Sequence, residues 1–396
     1  IMSRDSAATP EMLEILSQLI AFPTVSRDSN LGLIEWVRDY LRSRGVGSRL
    51  SYDATGSKAN LFATIGPDTG GGIVLSGHTD VVPVDGQDWD SDPFSAKVVD
   101  GRLYGRGACD MKGFLAAMLA GVDGLCKASL AQPIHLAFTY DEEVGCKGVR
   151  TLLADLQAAQ IRPSACIIGE PTSMQVVTAH KGSRNYQCCV RGKEAHASRT
   201  QDGVNAIEYA ARLIGHIQDM SDEFAQKPRA DSGFDTPYDT LQTSLVGGGL
   251  ARNIVPRDCN FVFGYRYLPD SDPDRIFQSV QDYATQDVLP RMRRKSPLAD
   301  IQFEKQSDNP PLSSDSNAKL AQFVKRLTGA HSLGSHVSYM TEGGLYQRAG
   351  MDVVVCGPGS IEQAHRPNEF VELSQLAQCE RFITELCQRA ADYPAN

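Results

Sequence analysis

The sequence predicts an α/β protein: a mostly parallel twisted sheet with helices on both faces, into which a smaller α+β unit is inserted. Three observations carry this reading. From Ala59 to Gly169 short β-branched runs alternate with longer helical ones, the pattern of parallel strands joined by crossover helices. Between about Lys181 and Pro297 the texture changes to a few longer strands and two helical runs, and afterwards the first alternation resumes. At 396 residues the chain also exceeds the ~250–300 at which one core stops growing. The expected domains are therefore residues 1–181 and 298–396 as two parts of one domain, with residues 182–297 as the insertion.

Taken in order, Leu61–Ile65, Ile73–Ser76, Ile134–Tyr140 and Ala165–Gly169 read as buried strands. Met111–Cys126, rich in Ala, Leu and Met, reads as a buried helix with Asp110 at its start. In the insertion, Tyr186–Val190, Leu241–Val246 and Cys259–Tyr267 read as strands, and Val204–Gln218 and Pro273–Tyr283 as helices. Gly247-Gly248-Gly249 lacks the lysine and hydroxyl of a phosphate loop and reads as a turn, or as backbone approaching a substrate. Leu312–Leu327, Gly344–Ala349, Asp352–Cys356 and Glu372–Arg389 resume the alternation, with a buried Val-Val-Val strand among them.

Composition narrows the function. Hydrophobic residues at 41% and charged residues at 22% are ordinary globular usage. A formal charge of -9 and a pI near 5.4 argue against nucleic-acid or anionic-membrane partners, which need a basic face. Ten cysteines without regular spacing read as reduced thiols of a cytoplasmic protein, and the adjacent Cys188 and Cys189 should face opposite ways on a strand. No long apolar run occurs, and Ser3–Glu11 is polar and acidic where a signal peptide would be basic and then apolar. Ile1, ahead of a natural start at Met2, is set aside as a remnant of expression.

The chemistry concentrates after strands. Ile73–Ser76 runs into Gly77-His78-Thr79-Asp80, Ile134–Tyr140 into Asp141-Glu142-Glu143, and Ala165–Gly169 into Glu170-Pro171. Asp110 lies between Gly105-Arg106-Gly107-Ala108-Cys109 and Met111-Lys112-Gly113, and Asp352–Cys356 is followed a loop later by Ala364-His365-Arg366-Pro367. Five acid or histidine clusters thus sit past five expected strands. A parallel sheet delivers such strand ends to one edge, where open α/β sheets place their sites. Crowded carboxylates there call for a cation, and mixed imidazole and carboxylate donors suit zinc or a similar first-row ion, with a shared carboxylate giving a two-metal site.

The Gly-His-Thr-Asp, Gly-Arg-Gly-Ala-Cys-Asp-Met-Lys-Gly, Asp-Glu-Glu and Gly-Glu-Pro-Thr segments resemble the dinuclear zinc family of aminoacylases, glutamate carboxypeptidases, succinyl-diaminopimelate desuccinylases and acetylornithine deacetylases. The resemblance covers nearly the whole chain, and Gly357–Glu369 looks most like the acetylornithine deacetylase members. It implies a zinc-peptidase-like catalytic domain with a ferredoxin-like insertion that serves as lid and dimerisation domain, two zinc ions per subunit with cobalt able to substitute, a small N-acyl amino acid as substrate, and a homodimer. Position by position, it implies that His78 and Glu170 bind one zinc, that Glu143 and His365 bind the other, and that Asp110 bridges them. Asp80 would hold the second nitrogen of the His78 ring. Glu142 would be the general base, and His196, arriving from a second subunit, would help hold the oxyanion. Asn253 and Arg266 match positions that hold the substrate carbonyl and carboxylate. Glu342 is expected from charge complementarity to attract a substrate ammonium.

Singly, these residues have plainer readings: Asp110 as a helix cap, Glu142-Glu143 as a solvated loop, His196 as a loop residue and Arg266 as one half of an ion pair. Their coincidence within the motifs favours chemistry. His135, His180, His216, His331 and His336 have no such support. The rivals are a sister deacylase or dipeptidase, and a zinc-stabilised scaffold without turnover. Glu142, which has no metal to bind, argues against the scaffold.

Overall fold

The computed structural model describes residues 8–329 and 334–393, so Ile1, the start of Ser3–Glu11 and His331 lie outside the described residues. The chain forms two compact units, one from Ile1–Ala179, Leu312–His336 and Thr341–Asn396, the other from His180–Pro311 and Val337–Met340.

The first unit is built on an eight-stranded sheet in the order Ser48–Tyr52, Ala59–Ile65, Ile134–Thr139, Ile73–His78, Ala165–Ile168, Asp352–Val355, Val177–His180, Ser335–Val337. The four middle strands, from Ile134–Thr139 to Asp352–Val355, are mutually parallel. Ser48–Tyr52 and Ala59–Ile65 add antiparallel on one side and Val177–His180 on the other. The parallel strands carry continuous apolar runs because helices bury both their faces; every residue of Ile73–His78 and Ile134–Thr139 is buried. Helix Pro10–Ile20 shows how the local sequence builds this cover. Thr9 Oγ1 accepts the Met12 N–H, Pro10 opens the first turn, and Met12, Ile15, Leu16, Leu19 and Ile20 form one buried stripe at helical spacing.

The expected single helix over Met111–Cys126 is instead three segments: Ala108–Lys112, with non-helical Asp110 and Met111 and a cis peptide between them, then Gly113–Ala120 and Val122–Lys127. Gly121, between the last two segments, is a residue without a side chain for a steric reason, since a β-carbon there would lie 2.3 Å from Ile383 Cγ2 of the last helix.

The second unit holds a four-stranded antiparallel sheet, ordered Thr240–Gly248, Asp258–Tyr267, Gly182–Arg191, Asp300–Asn309, packed on helices Ala206–Ala225 and Pro273–Asp282. The sheet reaches past Pro297, where the insertion was expected to end. Asp300–Asn309 is a polar, largely exposed edge strand, so its sequence lacks the apolar alternation that marks the others. Along Gly182–Arg191, Cys188 is buried and Cys189 partly exposed, as alternation requires, and all ten cysteines are free.

Candidate metal centre

Three of the four parallel strands deliver chemistry directly at their carboxyl ends. His78 closes Ile73–His78, Glu142 and Glu143 follow Ile134–Thr139, and Glu170 follows Ala165–Ile168 across Gly169. The fourth strand, Asp352–Val355, leads into the loop that carries His365. Asp110 does not follow a strand of this sheet: it arrives from the irregular Ala108–Lys112 segment, so the expectation of five strand ends becomes four plus one helical turn. Asp110 is also not the cap of the following helix, a position held by Lys112.

These side chains converge. His78 Nε2 lies 3.0 Å from Asp110 Oδ1 and 3.5 Å from Glu170 Oε1. His365 Nε2 lies 3.0 Å from Glu143 Oε2 and 3.4 Å from Asp110 Oδ2. Asp110 therefore turns one oxygen to each histidine. The result is two donor groups, His78–Asp110–Glu170 and Asp110–Glu143–His365, each with its ligand atoms within 4.8 Å of one another.

The electrostatics match a cation site. Burial lowers the His78 imidazole, yet the Glu170 and Asp110 carboxylates lift it well above its ordinary value. Hydrogen bonds to Asp110 and Glu143 raise His365 to about 10. Burial and the Asp110 charge push Glu170 up to about 8. Burial and the same charge raise Glu143 although His365 pulls it down, whereas Asp110, between two imidazoles, falls below the carboxylate range against the effect of its burial. The Asp110, Glu143 and Glu170 carboxylates draw positive charge onto His78 and His365, and two dications sharing Asp110 would supply charge of the same sign. The donor set fits such a pair.

Around it, the structure rearranges one expected contact. His78 Nδ1 bonds the main-chain carbonyl of Asp80 at 2.8 Å, while the Asp80 carboxylate stands 3.7 Å away. That carboxylate accepts instead from Ser26 Oγ (2.6 Å) and from the Glu142 and Glu143 N–H groups (3.1 and 3.3 Å), so it fixes the acidic loop rather than the ring. Glu142 is 6% exposed and accepts from Cys146 Sγ at 3.6 Å; burial and the Glu170 charge hold its carboxyl well above the usual range. Glu342 was expected to greet a substrate ammonium. It is only 1% exposed and its Oε2 stands 3.5 Å from Ser76 Oγ, so that charge is not on an exposed face. Burial lifts it to about 7.

The remaining expected site residues belong to the second unit. His196 sits in a two-stranded ribbon opposite Ile254, with Nδ1 2.7 Å from Ser198 Oγ, and the Asn253 carbonyl accepts the Ala197 N–H at 3.0 Å, so His196 and Asn253 are neighbours. Arg266 lies exposed on Asp258–Tyr267, opposite Thr240 and Ser183. Gly247 and Gly248 end a strand and Gly249, at φ +79°, makes the turn.

Four contributors carried no signal of their own in the sequence: Ser26, Cys146, Arg106 and Glu369. The last two stood inside quoted motifs, yet nothing in the residue pattern shows that they meet across the fold.

A mixed sheet whose parallel centre presents two imidazole–carboxylate groups sharing one aspartate defines a metallohydrolase. The sequence signature of peptidase family M20/M25/M40 matches residues 74–389, and the chain belongs to that family, as a metallohydrolase acting on an amide bond. It is 34% identical over 387 residues, 95% of this chain and 97% of the other, to an acetylornithine deacetylase of Pasteurella multocida (strain Pm70). Among solved structures it resembles an M20 family metallo-carboxypeptidase from Sulfolobus solfataricus (TM-score 0.74, 19% identity, 96% and 99% of the two chains). It also resembles a dinuclear metal-binding M20 peptidase from Bacillus subtilis (TM-score 0.65, 16% identity, 97% and 98%).

Proposed function

We propose that the chain deacylates an N-acyl amino acid with two bound metal ions, zinc with cobalt able to substitute, and that its substrate is N2-acetyl-L-ornithine, cleaved to ornithine and acetate in arginine biosynthesis. The observation that carries the chemistry is Asp110 facing both histidines, one oxygen to each. The substrate reading leans on the 34% identity to an acetylornithine deacetylase along 95% of the chain.

In this reading His78 and Glu170 hold one ion, Glu143 and His365 the other, and Asp110 both. When bound, such ions lower the pKa of water and polarise an amide carbonyl. Glu142 takes the proton of the attacking water and passes it to the departing amine; its carboxylate is buried beside Glu143 and accepts from Cys146 Sγ. His196 from a partner subunit donates to the oxyanion, Asn253 to the substrate carbonyl and Arg266 to its carboxylate. The dimer would form through the second unit, whose edge strand Thr240–Gly248 exposes Leu245 (67%) and Val246 (65%), with Leu250 (92%) just beyond it. Ten free thiols suit the reducing cytoplasm.

The test is release of free amine by metal-free, zinc-loaded and cobalt-loaded protein from N-acetylornithine, N-acetylcitrulline, N-acetylmethionine, N-succinyl-diaminopimelate and a dipeptide. Metal-dependent preference for N-acetylornithine is expected. Preference for another compound overturns the substrate, and turnover surviving in Glu142→Ala overturns the assigned base. No activity on any of them with metal bound brings back the scaffold.

A further inference from the structure

Behind the two donor groups lies a buried ion pair that the proposed reaction leaves without a task. Glu369 is 1% exposed and accepts four hydrogen bonds: from Arg106 Nη1 at 2.8 Å and from the N–H groups of Gly107 (3.0 Å), Cys109 (2.9 Å) and Asp110 (3.0 Å). Arg106, also 1% exposed, donates further to the Arg366 carbonyl at 3.2 Å and to Gln87 Oε1 at 2.5 Å, with its guanidinium 5.0 Å over the Trp89 ring. Gln87 Nε2 in turn donates to the His365 carbonyl at 2.9 Å. Apart from a 3.5 Å bond from Arg106 Nη2 to the Pro83 carbonyl, this network reaches the main chain of Gly107, Cys109 and Asp110 and of His365 and Arg366, the two loops that carry Asp110 and His365.

Those loops need an outside hold. The Asp110 loop is irregular, and His365 has φ +64°, uncommon for a residue with a side chain. A ladder joins the two stretches, Phe370–Glu372 on Arg102–Tyr104, but it stops short of both ligands. The His365 side chain is 54% exposed, so packing does not fix it either. His78 differs: it is 1% exposed and ends a strand paired on both sides. Replacing a buried ion pair by well-packed apolar residues is commonly neutral or stabilising, but here it also strips three N–H groups of their acceptor, so stability has to be read beside metal binding.

We infer that Arg106 and Glu369 are positioning residues, a brace that holds the Asp110 and His365 loops at the separation the Asp110–Glu143–His365 group needs, doing for that group what the sheet does for His78. The inference rests on the two-metal reading above. Outer partners of this kind act through the ligands they orient, and their loss typically lowers metal affinity about 10- to 100-fold.

The experiment uses the full chain, stripped of metal and titrated with zinc and with cobalt, comparing wild type, Glu369→Gln and the charge-free double variant Arg106→Met/Glu369→Leu. Four quantities are read: metal equivalents bound, affinity for each, the visible spectrum of the cobalt form, and the melting temperature of the metal-free form. The double variant is expected to melt somewhat below wild type without metal, because the Gly107, Cys109 and Asp110 N–H groups lose their acceptor, and to bind one of two equivalents about 10- to 100-fold more weakly with an altered cobalt spectrum. Loss of kcat with KM retained should accompany this. Two tight equivalents and an unchanged spectrum overturn the brace, as does a lowered metal-free melting temperature with metal binding intact, which would make the pair structural alone. If the double variant does not fold, Glu369→Gln decides by the same criteria. Wild type that binds no metal would instead overturn the underlying two-metal reading.

Discussion

Gly169→Ala puts the packing behind the site to a quantitative test. Gly169 joins the end of Ala165–Ile168 to Glu170, and a β-carbon built on it would lie 1.9 Å from Phe114 Cγ and 2.0 Å from Cδ1. Carbon atoms in contact stand ~3.5–4 Å apart, so the overlap exceeds what a shift of a few tenths of an ångström absorbs. Phe114 is fully buried in helix Gly113–Ala120 and has no open space into which to withdraw. Overpacking of this kind costs about 1–3 kcal/mol, and vacating a buried phenylalanine site about 3–5, which brackets the penalty from below and above. A loss of about 3 kcal/mol, or roughly 4–6 °C in melting temperature for a unit of this size, is expected. The assay is urea and thermal unfolding of the metal-free chain, so that bound ligand does not add to the difference. Phe114→Leu should cost less in the Gly169→Ala background than in wild type, because it then also relieves the overlap. Wild-type stability of Gly169→Ala, or equal cost of Phe114→Leu in both backgrounds, would refute the steric account.

Two further outcomes follow from named groups. His180 is buried, and burial, with the Arg266 charge as a lesser cause, pushes its imidazole down to about 4 even though its Nδ1 meets the Lys181 carbonyl at 2.9 Å. Its folded value lies below the unfolded value of 6.5, so the unfolded chain holds the extra proton between those limits: stability is full above pH 6.5 and falls with pH down to about 4. From pH 7 to pH 5 wild type should therefore lose about 2 kcal/mol more than His180→Gln in urea titrations, and parallel curves would remove the histidine from the acid response. Leu245→Glu combined with Val246→Glu should halve the sedimenting mass of a dimer held through the second unit and lower turnover with it; a wild-type monomer of full activity would take both the dimer and the partner's His196 out of the mechanism.

Legibility in the sequence followed physical environment. Ile73–His78, Ile134–Thr139, Ala165–Ile168 and Asp352–Val355 are buried on both faces, so their apolar runs stand out, and the acids and histidine just past them were found from placement alone. Asp300–Asn309 is a strand because Gly182–Arg191 pairs with it, and nothing in its charged sequence says so. Within Ala108–Lys127 the glycine at 121 answers to Ile383 and the main chain of residues 109 and 110 bonds Glu369, residues some 260 positions away in the chain. The same limit applies to the site. Residue types at strand ends marked His78, Glu142, Glu143 and Glu170, but which oxygen of Asp80 meets which donor, and how far Glu342 is enclosed, are set by tertiary packing that local pattern does not encode.

The place of Asp352–Val355 in the sheet bears on how the chain is made. This strand pairs with Ala165–Ile168 on one side and with Val177–His180 on the other, yet it belongs to the last tenth or so of the sequence. Until it leaves the ribosome, Ala165–Ile168 has one unpaired apolar edge, and His365 has not been synthesised. The central sheet therefore cannot close, nor can both donor groups exist, until residues 352–365 have been made. Any truncated product lacking that last segment is left with an open strand edge at its centre, the feature on which chains pair wrongly with one another.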